Sequence, residues 1–228
     1  MGARRQTAGR GLTRDAVLDA AIALVERDGA PALTMRRLGT ELGVEAMSLY
    51  HHVANRDAVL TGMAERLMSR FPAPPPDAGW QDAGEWFARQ LRMVATTSPQ
   101  TFALTAMAPL RSAAALEPVE ALLAALVRGG ASPDGALVVY RALASYARGY
   151  ALAEVAGFTV DASTAAGAEE LRALDPEAFP VLGGHVDELG AVGADRAFDA
   201  GLRALIDGLT GLVDPPAARL AAVRARRR

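Results

Sequence analysis

No cysteine occurs among the 228 residues. Its absence removes disulfide frameworks, thiolate metal sites and thiol nucleophiles together. Lysine is absent too, since all 24 basic residues are arginine; with so much Ala and Gly, this reads as compositional bias. Histidine is limited to three residues and aromatics to 5% of the chain. No Ser-His-Asp order, paired-carboxylate motif or phosphate-binding glycine loop stands out, which points away from catalysis. Long apolar runs are missing, because Arg, Asp and Glu interrupt every candidate span. Met1 to Leu12 is basic but is not followed by the apolar run and cleavage site of a secretory signal. The expectation is a cytoplasmic protein with no membrane partner, no metal and no cofactor.

What is present is enough apolar material for a large core: 51% of the residues are hydrophobic and 22% charged, unlike a disordered chain. The net charge of -2 hides an asymmetry. Residues 1–71 carry 10 Arg and 8 acids, whereas residues 72–218 carry 9 Arg and 18 acids. The last ten residues add Arg219, Arg224, Arg226, Arg227 and Arg228. A basic head able to approach phosphate is thus joined to an acidic body that is not.

Helical periodicity dominates, and no run of alternating strand residues is evident. Thr13 is placed to cap a first helix whose stripe is Val17, Ala20, Ala21, Leu24 and Val25, with Gly29 ending it. A second helix is expected from Thr34 to Leu42, a third from Glu45 to His52, and a fourth after Asn55. Phe71-Pro72-Ala73-Pro74-Pro75-Pro76-Asp77 cannot continue a helix and marks a boundary. Longer helices follow at 79–97, 99–109, 113–128, 133–156 and 195–213, the fourth of these announced by Ser132-Pro133-Asp134. Residues 157–176 read as loop, with a shorter helix inside 177–190 bent near Pro180. The expected fold is all-α: a three-helix helix-turn-helix domain over 13–71, then a larger helical domain over 79–214. A basic tail (1–12), a Pro-rich linker (72–78) and an Arg-rich tail (215–228) complete the division.

Leu38, Leu42, Val44, Leu49 and Val53 are spaced so that two short helices share an apolar seam across the turn at Gly43. Such a unit projects its last helix outward, where its exposed face fits a major groove. The series Thr34-Met35-Arg36-Arg37-Leu38, Leu42-Gly43-Val44, Ser48-Leu49-Tyr50-His51-His52-Val53 and Asn55-Arg56-Asp57 resembles the DNA-binding domain of the tetracycline-repressor-like (TetR) family. Ser145-Tyr146, Gly149 and Glu154, with Phe198-Asp199-Ala200-Gly201-Leu202, are similar to the dimer-forming helices of the tetracycline-repressor subgroup. The resemblance implies a homodimeric, ligand-responsive regulator, expected to be a repressor released from a palindromic double-stranded operator by a small organic ligand.

Position by position, the resemblance gives Thr34, Arg36 and Arg56 contacts at the starts of the second and fourth helices. It gives Ala46, Met47, Ser48, Tyr50, His51 and His52 to the recognition helix. Hydroxyl, phenol and guanidinium groups are the usual phosphate partners, Ser48 or His52 can reach a base edge, and Ala46 or Met47 can touch a thymine methyl. One departure stands out: close relatives of the tetracycline repressor carry a polar base reader where this chain has Ala46.

In the larger domain, small residues such as Ala142, Ala144, Ala147, Gly149, Ala200, Gly201, Ala204 and Gly208 suit close helix approach in a dimer. Trp86, Phe102, Met107, Tyr140, Arg141, Tyr146 and His185 are the candidate ligand-binding residues, apolar walls with a few polar handles. The competing reading is a helical small-molecule carrier or interaction module without DNA binding.

Overall fold

The computed structural model describes residues 12–75, 77–158 and 160–213. Apart from Leu12, both tails named above lie outside the described residues. The described chain is helical, with no strand. Its elements begin with α1 (Arg14–Asp28), a single 3-10 turn (Ala30–Ala32), α2 (Met35–Leu42), α3 (Ala46–Leu49) and α4 (Arg56–Met68). There follow α5 (Trp80–Thr97), α6 (Pro99–Thr105), α7 (Ala113–Arg128) and α8 (Pro133–Ala156). The last three are α9 (Ala165–Arg172), α10 (Val186–Gly190) and α11 (Ala194–Val213). No helix among the described residues is long and apolar enough to cross a membrane.

The helices start where short polar side chains satisfy free amides. Thr13 accepts from the Ala16 N–H at 3.1 Å, Thr34 from Arg37 at 3.2 Å and Asn55 from Ala58 at 2.8 Å. Each cap of this kind stabilises its helix by about 1 kcal/mol. Gly43 ends α2 in the left-handed conformation at φ 68°, which costs glycine nothing. Two helix ends are set by proline. Its ring excludes the carbonyl four residues earlier, so α4 stops at Met68 ahead of Pro72, and α6 at Thr105 ahead of Pro109. The expected extension of α6 to 109 is thereby ruled out.

The stretch read as loop over 157–176 contains α9, capped by Thr164, which accepts from the Gly167 N–H at 3.1 Å. Only Ala168 of this helix is buried, so it lacked the apolar stripe that betrays the others. Conversely, the segment around Pro180 is a series of turns, and α10 is confined to Val186–Gly190.

The chain divides into two compact units. Among the described residues, the first takes in residues 12–72 and 94–117; the second takes in 73–93 and 118–213. Helices α5 and α7 each contribute to both.

In the first unit α1 packs on α2, α4 and α6, and α2 on α3, around buried Leu18, Leu24, Leu38, Leu49 and Met63. Two carboxylates tie later segments to this core. Glu26 of α1 accepts from the Thr101 N–H at 2.7 Å, supplying the cap that Ser98 does not give α6. Glu65 of α4, only 6% exposed, accepts from the amides of Arg111 and Ser112, both at 2.8 Å, and from Arg14 at 3.3 Å. Burial pushes the Glu65 carboxyl up, but the two amides and the Arg14 guanidinium together hold it below its ordinary value.

In the second unit α8 packs on α11 around buried Phe87, Leu143, Phe198 and Leu202. Arg92 lies 4.9 Å from the ring centre of Phe198 and 5.8 Å from that of Tyr150. It is paired with Glu154 at 2.6 Å and Asp195 at 2.7 Å.

Candidate nucleic-acid interface

The seam expected from the spacing is present in part, with Leu42 and Val44 only half-buried. Leu38 and Leu49 are fully buried and Val53 nearly so, which fixes α3 against α2 and leaves its other face outside. Gly39 permits the closest approach. The Val44 N–H donates to its carbonyl at 2.9 Å, and a Cβ on Gly39 would stand 2.9 Å from the Val44 oxygen and 3.1 Å from the Ala46 nitrogen. A side chain there would push α3 off its seat.

The α-helical part of α3 is shorter than the expected span from Glu45 to His52. It ends at Leu49, and the chain continues to Val53 in turns, with Tyr50 N–H donating to Met47 and both His52 N–H and Val53 N–H to Leu49. Such i to i+3 bonds are common where a helix runs out. The side chains differ in how far they stand out. Met47 is 70% exposed and Tyr50 44% exposed. His51 is exposed, while Ala46, Ser48 and His52 are half-buried.

Around this face the arginines divide. Arg37, next to Arg36 in sequence, is turned back to Asp28 of α1 at 2.6 Å. Arg27 grips Glu41 through two bonds of 3.0 Å. Arg66 pairs with Asp19 at 2.8 Å. Side-chain hydrogen bonds from Arg27 and from Arg66 hold the Asp28 and Asp19 carboxyls, respectively, below their ordinary range. By contrast Arg36 and Arg56 are exposed and make no ion pair among the described residues. The Arg56 Nε–H donates to the Leu33 carbonyl at 3.2 Å, which aims the guanidinium without neutralising it. Thr34, though capping α2, remains exposed. The surface therefore offers unneutralised cations, hydroxyls and a phenol beside an apolar side chain, a set suited to phosphate and base-edge contact.

The candidate ligand residues are dispersed. Phe102 is buried in the first unit, and Met107, in that same unit, is 83% exposed. The other five lie in the second unit. Trp86 and Tyr140 flank Phe87, with ring centres 6.5 and 5.7 Å from it. The Tyr146 hydroxyl donates to the Phe198 carbonyl at 2.8 Å, tying α8 to α11. Arg141 and His185 are exposed, the latter 3.6 Å from Glu188.

Sequence reasoning missed Gln90, one helical turn beyond Trp86. Its Oε1 is buried with no hydrogen-bond partner among the described residues. A buried unpaired acceptor is costly, but nothing distinguishes Gln90 in sequence from Gln81 of the same helix. A groove of about 170 Å³ between α5 and α11 is lined by Glu85, Arg89, Asp199, Arg203 and Asp207 among others. It is small and charged where drug-sized ligands occupy roughly 300–1,000 Å³ of mostly apolar space.

Comparison with known proteins bears on both units. The family model described as bacterial regulatory proteins, tetR family, matches residues 17–63. The one described as the tetracyclin repressor-like C-terminal domain matches residues 71–213. An HTH-type transcriptional regulator of Saccharopolyspora erythraea is 32% identical over 203 residues, covering 87% of this chain and 84% of that protein. The class A tetracycline repressor from transposon 1721 of Escherichia coli is 29% identical, covering 87% of this chain and 90% of its own. Among solved structures, apo ActR of Streptomyces coelicolor superposes with a TM-score of 0.75 at 25% identity, over 90% of this chain and 98% of that one. ActR with bound actinorhodin gives a TM-score of 0.72 at 26% identity, over 88% and 96%.

Proposed function

The chain belongs to the tetR family of bacterial transcriptional regulators, and from that premise we propose a homodimeric repressor released from a palindromic operator by a small organic ligand. The observation that carries the reading is the α3 face: Met47 and Tyr50 stand out from a domain whose other large apolar side chains are mostly buried. In this reading residues 13–71 are the DNA-binding head and residues 79–214 the sensor and dimer domain. Thr34, Arg36, Tyr50 and Arg56 hold phosphates, while Ala46, Met47, Ser48, His51 and His52 face the bases. A repressor of this kind works in the cytoplasm, and we assign it no catalytic role.

Two recognition helices enter successive major grooves when they stand about 34–36 Å apart. We assign the pairing of protomers to α8 and α11. Gly149, Ala200, Ala204 and Gly208 are exposed there, and a Cβ on either glycine would meet nothing. Gly201, by contrast, is filled from within by Tyr146. Leu137, Val138 and Leu212 add exposed apolar surface on the same two helices.

For the ligand, we assign the surroundings of Trp86, Gln90 and Tyr140 in the second unit. The Gln90 carbonyl oxygen supplies the acceptor that a hydroxyl or amide of the ligand would satisfy. ActR is a relative crystallised with actinorhodin, and that precedent supports a ligand of the small organic class. Release follows linkage: ligand weakens operator binding only by the free energy with which it prefers the non-binding form. Coupling of roughly 1–3 kcal/mol changes affinity about 5- to 150-fold.

Selection from a random duplex library tests the reading. The expected product is an inverted repeat bound with log affinity falling linearly in log salt. With four cationic phosphate contacts, from Arg36 and Arg56 of both protomers, the slope is about -4. Enrichment of single-stranded RNA, or of nothing, would overturn it.

A further inference from the structure

Side chains that identify a base pair usually form two hydrogen bonds to its edge: Arg to guanine, Asn or Gln to adenine. Neither Arg, Asn nor Gln occurs between Ala46 and Val53, and the nearest carboxylate, Glu45, precedes α3. What α3 presents instead is Met47, 70% exposed, between the half-buried Ala46 and Ser48.

Its seat is fixed. Gly39 backs onto the chain entering α3, with the Val44 N–H to Gly39 carbonyl bond at 2.9 Å, and buried Leu49 pins the other end. Met47 thus leaves the domain at a defined place, carrying an unbranched, polarisable thioether that adapts to an irregular surface. In the major groove the apolar complement to such a side chain is the C5 methyl of thymine. Ala46, shorter and half-buried, does not reach as far from the domain.

We propose that Met47 is a specificity-determining residue that selects thymine in each operator half-site through its C5 methyl group. The proposal rests on the reading that α3 enters the major groove, and the experiment separates the two. The full-length protein first enriches an operator from random duplexes. Each thymine of the half-site is then replaced, in both halves at once, by deoxyuridine, which differs only in lacking the methyl. Burying one methyl corresponds to about a fourfold gain, so the paired substitution at the Met47 contact costs about fifteenfold.

Met47→Ala and Met47→Gln bind the thymine operator more weakly and lose less than about twofold on deoxyuridine substitution at that position. Because the side chain is exposed, both variants are expected to melt as the wild type does. If both variants discriminate thymine from deoxyuridine as sharply as the wild type, the proposal falls while the operator reading stands. An operator whose thymines all tolerate deoxyuridine has the same consequence. Failure to enrich any duplex removes both.

Discussion

Two sets of arginines in this molecule face opposite fates. Around Arg92 every charge is consumed internally: Glu154 and Asp195 bind the guanidinium, and Tyr150 and Phe198 lie beneath it. Burial pushes the Tyr146 and Tyr150 phenols up, so both stay neutral donors to the carbonyls of Phe198 and Ala194. Around α3, Arg36 and Arg56 have no acidic partner among the described residues, while Arg37 beside them does. The contrast separates charges already spent inside the fold from those left open to an anionic partner. A charge already paired gains little from phosphate; an aimed, unpaired one gains its counterion release.

Substitutions can break that contrast, and the largest effect is expected from Arg92→Met. It leaves Glu154 largely buried without its cation and should cost about 3 kcal/mol in chemical denaturation, yet leave the salt slope of operator binding unchanged. A changed slope would mean that Arg92 meets DNA.

Glu65→Gln comes next. Losing a charge-assisted acceptor for the Arg111 and Ser112 amides should cost about 2 kcal/mol. The sign of its pH dependence follows from the lowered folded value. The Glu65 contribution is fully present above the ordinary glutamate value of 4.5 and is lost as pH falls through the folded one. The stabilities of the wild type and the Glu65→Gln variant should therefore converge in acid; a gap that persists there would contradict the assignment.

Arg36→Ala and Arg56→Ala should leave stability within about 0.5 kcal/mol. In a dimer each should make the salt slope shallower by about 2, because each phosphate contact contributes about 0.9. Arg37→Ala is the smallest and sharpest comparison. Its exposed pair with Asp28 is worth under about 1 kcal/mol, and the slope should not move. If Arg37→Ala changes the slope as Arg36→Ala does, the division of arginines drawn from the geometry is wrong.

The parts legible in advance were those decided within a few residues. Thr13, Asn55 and Ser132 cap the helices they precede, because a cap bond spans three residues and needs no tertiary partner; Thr34, expected inside the second helix, caps it as well. Leu38, Leu49 and Val53 of the seam and the exposure of Met47 and Tyr50 followed from helical spacing, whereas Leu42 and Val44 are only half-buried. Helix α9 was missed since one buried alanine leaves no stripe, and α3 was drawn too long because a tight turn keeps nearly the same spacing.

For the ligand-binding candidates the sequence could supply only residue types. Phe102 and Met107 fall in one compact unit and Trp86 and Tyr140 in the other, a sorting that no local pattern encodes. The Glu26 and Glu65 bonds, between residues 75 and 46 apart at their most distant and nearest, were equally invisible.

Sequence alone determined the helical class and the caps at Thr13, Asn55 and Ser132, since these follow from short-range sterics and hydrogen bonding. Tertiary structure alone decided which arginines are neutralised and which remain available. Charge pairing depends on distances across the fold, and those exist only once α1, α2 and α4 have packed.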